Sequence, residues 1–221
     1  MKTALIIITL CCSFGLVKEP KVYKSLCEAL KEPNKVYHLK LNTWESMQNC
    51  NLEEIKNLIN LEILEISECP NIKSLPNEIA YLKSLKKVSF YWNGTGQQGE
   101  IDWNKEFKKL SQVDSLEYLK LGPYNVIEHL SPEIKGLKNL KVLDLRMTTT
   151  LSLPKEIGGL TRLEILDLSM TKIKELPKEL ANIKSLKKVY LVDTEISKDD
   201  DRKEKVKNLL KHCEVIFEPD K

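Results

Sequence analysis

The amino-acid sequence predicts an α/β solenoid of about seven repeats: a curved horseshoe with a parallel β-sheet on its concave face, helical or irregular segments on its convex side, and a cap at each end. Three observations predict it. An L-x-x-L-x-L pattern returns seven times, the copies start at nearly constant intervals, and a second pattern built on Leu-Pro follows most of them. With 221 residues, of which 42% are hydrophobic, the chain can bury a substantial core.

The copies are Val36-x-x-Leu39-x-Leu41, Leu61-x-x-Leu64-x-Ile66, Leu85-x-x-Val88-x-Phe90, Leu116-x-x-Leu119-x-Leu121, Leu140-x-x-Leu143-x-Leu145, Leu163-x-x-Leu166-x-Leu168 and Leu186-x-x-Val189-x-Leu191. Their starts are 25, 24, 31, 24, 23 and 23 residues apart. The last two apolar residues of each copy lie two apart, so they face one side of a short strand while the residues between them face the other. One repeat cannot bury its own leucines. Neighbouring repeats supply the walls, and each inward Leu removed from water contributes about 1.5 to 3 kcal/mol.

Downstream of the strands, Leu75-Pro76-x-x-Ile79, Leu153-Pro154-x-x-Ile157 and Leu176-Pro177-x-x-Leu180 are followed three residues later by Leu82, Leu160 and Ile183. The fourth repeat keeps this frame with Leu130 and Ile134 but carries Pro132 one position late. Proline suits an irregular turn or a first helical position on the convex return. On these residues, from 36 to 196, the chain resembles the leucine-rich repeat family, and in particular the LPxxI subclass of bacterial surface proteins and of the Ras-group repeat proteins of plants and animals. The resemblance implies a leucine-rich repeat solenoid that binds a partner and is not an enzyme.

Residues 18–35 are expected to cap the N-terminal end: within 22–33, Leu26 and Leu30 share one helical face and Pro33 ends the helix. Residues 197–221 are expected to cap the other end. There Asp199, Asp200 and Asp201 open a helix striped by Val206, Leu209 and Leu210, and Cys213 to Phe217 alternate as a last strand. Ahead of the first cap, Lys2 is followed by fifteen uncharged residues, Thr3 to Val17. A bilayer needs roughly 20 apolar residues, so this stretch is too short to span one. Residues 1–17 are expected to be a secretory signal peptide with Ser13-Phe14-Gly15 as a small-x-small cleavage site, or a lipoprotein signal using Cys11 or Cys12, although Leu10 departs from the lipobox pattern. Either route places the protein outside the cytoplasm, secreted, periplasmic or on the outer surface. An unprocessed segment would leave it cytoplasmic. Outside that segment stand Cys27, Cys50, Cys69 and Cys213, an even set that permits disulfides in an exported chain, with the pairing open.

The 31-residue step contains Gly94, Gly96 and Gly99 at the G-x-G-x-x-G spacing of a dinucleotide-binding turn. The context argues against that role. Such a turn leads directly into a helix N-terminus, whereas here Glu100 and Asp102 would repel a pyrophosphate. An inserted surface loop explains the glycines better, with Trp103, Phe107 and Leu110 returning to the core at helical spacing. His38, His129 and His212 lie in different repeats, and no Ser-His-Asp or Cys-His arrangement is readable. No cofactor and no metal are expected; the cysteine spacing offers no zinc site. Cys69, Asn93, Thr148, Thr171 and Thr194 occupy one recurring position after the strand and read as buried residues bonding to adjacent backbone. Lys and Arg number 35 against 32 Asp and Glu, with signs interspersed, which argues against nucleic acid as a partner.

The outward strand positions remain. The third position across the repeats reads His38, Ile63, Lys87, Tyr118, Val142, Ile165 and Lys188, and the fifth reads Lys40, Glu65, Ser89, Lys120, Asp144, Asp167 and Tyr190. The seventh and eighth add Tyr91, Trp92, Arg146, Met147, Ser169 and Met170. Aromatic, Arg and Met side chains are enriched in interfaces. The expected partner-binding residues are therefore Tyr91, Trp92, Tyr118, Lys120, Asp144, Arg146, Met147, Asp167, Met170 and Tyr190. A protein is the expected partner and a glycan the second class of ligand. The chain is expected to be a monomer that touches a membrane only through a lipid anchor. The alternative is an intracellular signalling regulator or scaffold resembling the Ras-group repeat proteins.

Overall fold

The computed structural model describes residues 21–47, 50–69, 72, 74–91, 101–123 and 125–219. The strands β1 (Val22–Tyr23), β2 (His38–Leu41), β3 (Ile63–Ser67), β4 (Lys87–Tyr91), β5 (Tyr118–Leu121), β6 (Val142–Asp144), β7 (Ile165–Asp167), β8 (Lys188–Tyr190) and β9 (Glu214–Ile216) form one sheet in chain order. Every neighbouring pair is parallel. Strands β2 to β8 each begin at the third position of an L-x-x-L-x-L copy, and the register aligns the copies residue by residue, from His38 opposite Ile63 to Ile165 opposite Lys188. The first, fourth and sixth positions of all seven copies are at most 3% exposed. That continuous core is why a slip of one residue in any strand is forbidden: it would turn the leucines outward.

Between strands the chain returns through 3-10 turns at Leu52–Asn57, Asn77–Tyr81, Pro132–Gly136, Lys155–Gly159 and Lys178–Asn182. Pro76, Pro154 and Pro177 sit at the N-caps, where their carbonyls accept from Ile79, Ile157 and Leu180 N–H at 3.1 to 3.2 Å. At a cap the missing proline N–H costs nothing and its fixed φ directs the turn. Pro132 stands one position later because Ser131 takes the cap, its hydroxyl accepting from Glu133 N–H at 3.2 Å, and proline fits the first helical position equally well.

The long repeat replaces such a turn with helix α2 (Trp103–Leu110), which packs between the turns at 77–81 and 132–136. Trp103, Phe107 and Leu110 are buried, and the Trp103 ring meets Phe90 edge-on at 5.7 Å. Glu106 is also buried. Its carboxylate accepts from Ser74 Oγ at 2.7 Å and Leu75 N–H at 2.8 Å and pairs with Lys109 at 3.1 Å, tying the helix to the preceding repeat.

At the N-terminal end the helix expected over 22–33 is a single turn, α1 (Leu26–Ala29). Val22 and Tyr23 instead extend into β1 and pair with β2, Ser25 caps α1 through Glu28 N–H, and Pro33 opens a 3-10 turn at Pro33–Lys35. Cys27 on α1 is disulfide-bonded to Cys50, with Cα atoms 5.7 Å apart. At the other end α3 (Asp200–Leu209) is capped by Asp199, which accepts from Arg202 N–H at 3.0 Å; it buries Val206 and packs on the turn at Lys178–Asn182. Among the described residues no helix is long and apolar enough to cross a membrane.

Candidate functional site

Strand alternation alone puts two rows of side chains on the inner face. Nothing in the leucine core requires their identity, so these rows are where a site is sought. Ion pairs and ring contacts link them from strand to strand. Glu65 on β3 is approached by His38 Nε2 at 3.5 Å, Lys40 Nζ at 3.5 Å and Lys87 Nζ at 3.9 Å. The His38 contact is the chief cause holding the Glu65 carboxyl down to about 2, with the charges of Lys87 and Lys40 assisting and burial opposing. Lys87 also lies 5.0 Å over the Tyr118 ring, its register partner, and Lys120 lies 5.5 Å over the Tyr91 ring. Such contacts hold lysine stems flat against the sheet.

Farther along, Asp144 and Asp167 are register partners on β6 and β7. Asp144 pairs with Lys120 at 3.1 Å, and Arg146 reaches both carboxylates at 3.8 Å. Both aspartates also accept from the backbone two residues on, Asp144 from Arg146 N–H at 3.0 Å and Asp167 from Ser169 N–H at 2.9 Å. They therefore shape the exit from the strand as well as facing the concavity. Burial, followed by the neighbouring Asp144 charge, pushes the Asp167 carboxyl up, and the same two causes push the Tyr118 hydroxyl up. Met147 and Met170 occupy the same exit turn one repeat apart, with φ of 61° and 59°, a left-handed position shared by Glu68 and Asp193. Met170 is 48% exposed.

The structure thus gathers Tyr91, Tyr118 and Lys120 on β4 and β5, and Asp144, Arg146, Met147, Asp167 and Met170 around β6 and β7, with Tyr190 opposite Asp167 on β8. Trp92, the 94–99 glycines and Asn93 lie outside the described residues. Thr148, Thr171 and Thr194 donate to the carbonyls of Leu145, Leu168 and Leu191 in their own turns, at 2.7 to 2.8 Å, and among the described members of this series only Cys69 reaches the preceding repeat, at the Thr43 carbonyl. Burial raises the Cys69 thiol to about 11. In the fourth repeat the bridging role falls to Asn125, which donates to the Phe90 carbonyl at 2.9 Å. The residue is displaced by one because the chain leaves β5 through Gly122-Pro123, and a Cβ on Gly122 would collide with the Arg146 carbonyl.

Sequence reasoning placed Ser89 and His38 in the rows without singling them out. Ser89 is fully covered, and its Oγ is, among the described residues, a buried polar atom without a hydrogen-bond partner, as is His38 Nε2 apart from its 3.5 Å ion-pair contact with Glu65. The available signal was that Ser89 is the one small residue of the fifth row, set between Lys87 and Tyr91 on its strand and between Glu65 and Lys120 on its neighbours. Among the described residues no group of three or more His, Cys, Asp or Glu could hold a metal ion. Chemically the face offers aromatic surface, cations, carboxylates and an uncommitted hydroxyl, which are the means of binding.

Comparison with known proteins adds the following. A family model described as a leucine-rich repeat region matches residues 95–214. No curated protein matches the sequence. Among solved structures the chain is similar to a leucine-rich repeat protein of Leptospira interrogans, at 31% identity and a TM-score of 0.71, covering 90% of this chain and 47% of that one. It is also similar to the leucine-rich repeat ectodomain of the membrane receptor kinase GASSHO1/SCHENGEN3 from Arabidopsis thaliana, solved in complex with CASPARIAN STRIP INTEGRITY FACTOR 2, at 27% identity and a TM-score of 0.50, covering 75% of this chain and 19% of that one. The chain spans less than half the length of either.

Proposed function

The chain belongs to the leucine-rich repeat family, and from that premise we propose that it is a non-enzymatic protein-binding module of the LPxxI kind that holds its partner on the concave face. The observation that carries this is the cluster of Tyr91, Tyr118, Lys120, Arg146, Met147 and Met170 on neighbouring inner-face strands and exit turns, where the core has no use for large side chains. Their types are those that anchor interfaces. The structural neighbour solved in complex with a named factor supports partner binding as the general use of such a stack. A glycan is the second ligand class, since flat aromatic and polar surface serves sugars as well.

The same proposal places the protein outside the cytoplasm. The uncharged run from Thr3 to Val17 supports export, and so does the Cys27–Cys50 disulfide, since disulfides persist in oxidising compartments. A pull-down from an extract of the native organism, with wild-type protein and a Tyr118→Ala variant as parallel baits, tests the function. A protein retained by the wild type and lost by the variant supports it; equal retention refutes it. Mass spectrometry of the mature N-terminus tests export, and an intact Met1 on a cytosolic chain refutes it.

A further inference from the structure

We propose that the β2–β5 half of the concave face docks an acidic segment of the protein partner; this rests on the concave-face reading above and names the chemistry it selects. Two independent observations meet there. The first is a charge imbalance. In the third and fifth rows of β2 to β5, Lys40, Lys87 and Lys120 stand against a single carboxylate, Glu65, which Lys40, Lys87 and His38 share, while Lys120 reaches across to Asp144 on β6 at 3.1 Å. The other half is the more acidic one: Asp144, Asp167 and Glu214 stand against Arg146, which reaches both aspartates, and Lys188, which pairs with Glu214.

The second observation is the uncommitted Ser89 hydroxyl, fully buried and without a partner, at the centre of that cationic half. A buried polar group left unpaired in a native structure calls for an explanation. Lys87 stands two residues before Ser89 on β4 and Lys120 is its register partner on β5, and these lysines lie over the rings of Tyr118 and Tyr91 in contacts that are reversible. A carboxylate arriving between Lys87 and Lys120 competes with Glu65 and Asp144 for their ammonium groups and offers the Ser89 hydroxyl an acceptor. Adjacent strands are about 4.8 Å apart, so successive acidic side chains of an extended segment can engage Lys40, Lys87 and Lys120 in turn. Complementary charge also selects the partner's direction along the sheet, because only one half of the face favours anions.

The test uses the full chain and fluorescence anisotropy with two labelled peptides, one alternating glutamate and glycine, the other lysine and glycine. The glutamate peptide is expected to bind, to weaken with added salt, and to lose at least about tenfold in affinity with Lys87→Gln/Lys120→Gln. Lys155→Gln/Lys178→Gln on the convex side should leave it unchanged. Both glutamine variants are checked by thermal melting, and the single Lys40→Gln variant, at a more exposed position, serves if the double variant is unstable. Equal binding of the two peptides, or equal loss with the convex pair, overturns the proposal. Panning a displayed random-peptide library separates it from the broader reading. Binders that depend on Tyr118 but are not enriched in Asp and Glu overturn the acidic-segment proposal alone, whereas binders indifferent to every concave substitution overturn the concave-face reading itself.

Discussion

Replacing Glu106 with Ala should loosen the one α-helix that interrupts the regular convex turns. In the folded protein its carboxylate accepts from Ser74 Oγ at 2.7 Å and from Leu75 N–H at 2.8 Å, and pairs with Lys109 at 3.1 Å, all with Glu106 itself 2% exposed. Hydrogen bonds to a charged group contribute about 1.5 to 3 kcal/mol each, and an orphaned buried N–H costs about 1 to 3 kcal/mol. Lys109 recovers part of the loss because it also donates to the Leu75 carbonyl at 2.6 Å. The net expectation is a loss of about 3 kcal/mol. For a domain of this size that lowers the melting temperature by about 6 to 12 °C. Glu106→Gln keeps an acceptor for Leu75 N–H and should cost about 1 kcal/mol. Circular dichroism melts and urea titrations of the three proteins measure this. A loss below about 1 kcal/mol for Ala, or equal losses for Ala and Gln, would refute the reasoning that the carboxylate bonds hold α2 in place.

Further outcomes follow from the same geometry. Because the Glu65 carboxyl is held at about 2 when folded, its interactions stabilise the native state above the ordinary carboxylate range and are lost as pH falls toward 2. The stability difference between wild type and Glu65→Gln should therefore shrink steadily on acidification below about pH 4.5, and a difference that grows instead contradicts the assignment. Asp167, whose carboxyl is raised when folded, has the opposite sign: its ionised form opposes folding at neutral pH, so Asp167→Asn should lose least stability at neutral pH and relatively more as pH falls, read from denaturation at several pH values. Met170 sits at φ 59°, so Met170→Gly should leave stability unchanged or raise it by up to about 1 kcal/mol while Met170→Val lowers it, as judged by thermal melts. Leu166, fully buried in the stack, should cost about 2 to 5 kcal/mol when changed to Ala.

The strands were legible because a period of two, repeated in seven copies, leaves one way to bury the leucines, and the register of β2 to β8 follows from it. The convex arm was legible as a turn but not as a 3-10 turn, since Leu-Pro marks where the chain bends and not how tightly it winds. Val22 and Tyr23 read as helix because Leu26 and Leu30 carry helical spacing; the free edge of β2 claims them as β1, a tertiary effect with no local signal. Asn125 was hidden by the single-residue displacement after Gly122-Pro123, and the Cys27–Cys50 pairing needed coordinates. For the candidate site, alternation names the members of each row. Which member covers which depends on side-chain length across neighbouring strands, so the complete burial of Ser89 among longer side chains was not readable.

The central claim is that a partner rests on the concave face, and the most direct measurement is the affinity of the protein recovered by pull-down for paired variants. Changing Trp92 and Tyr118 to Ala should weaken it at least about tenfold, equivalent to about 1.4 kcal/mol, with the melting transition little altered. Changing Lys155 and Lys178, exposed on the convex turns, to Ala should leave the affinity unchanged. A larger loss from the Lys155 and Lys178 changes than from the Trp92 and Tyr118 changes would contradict the account.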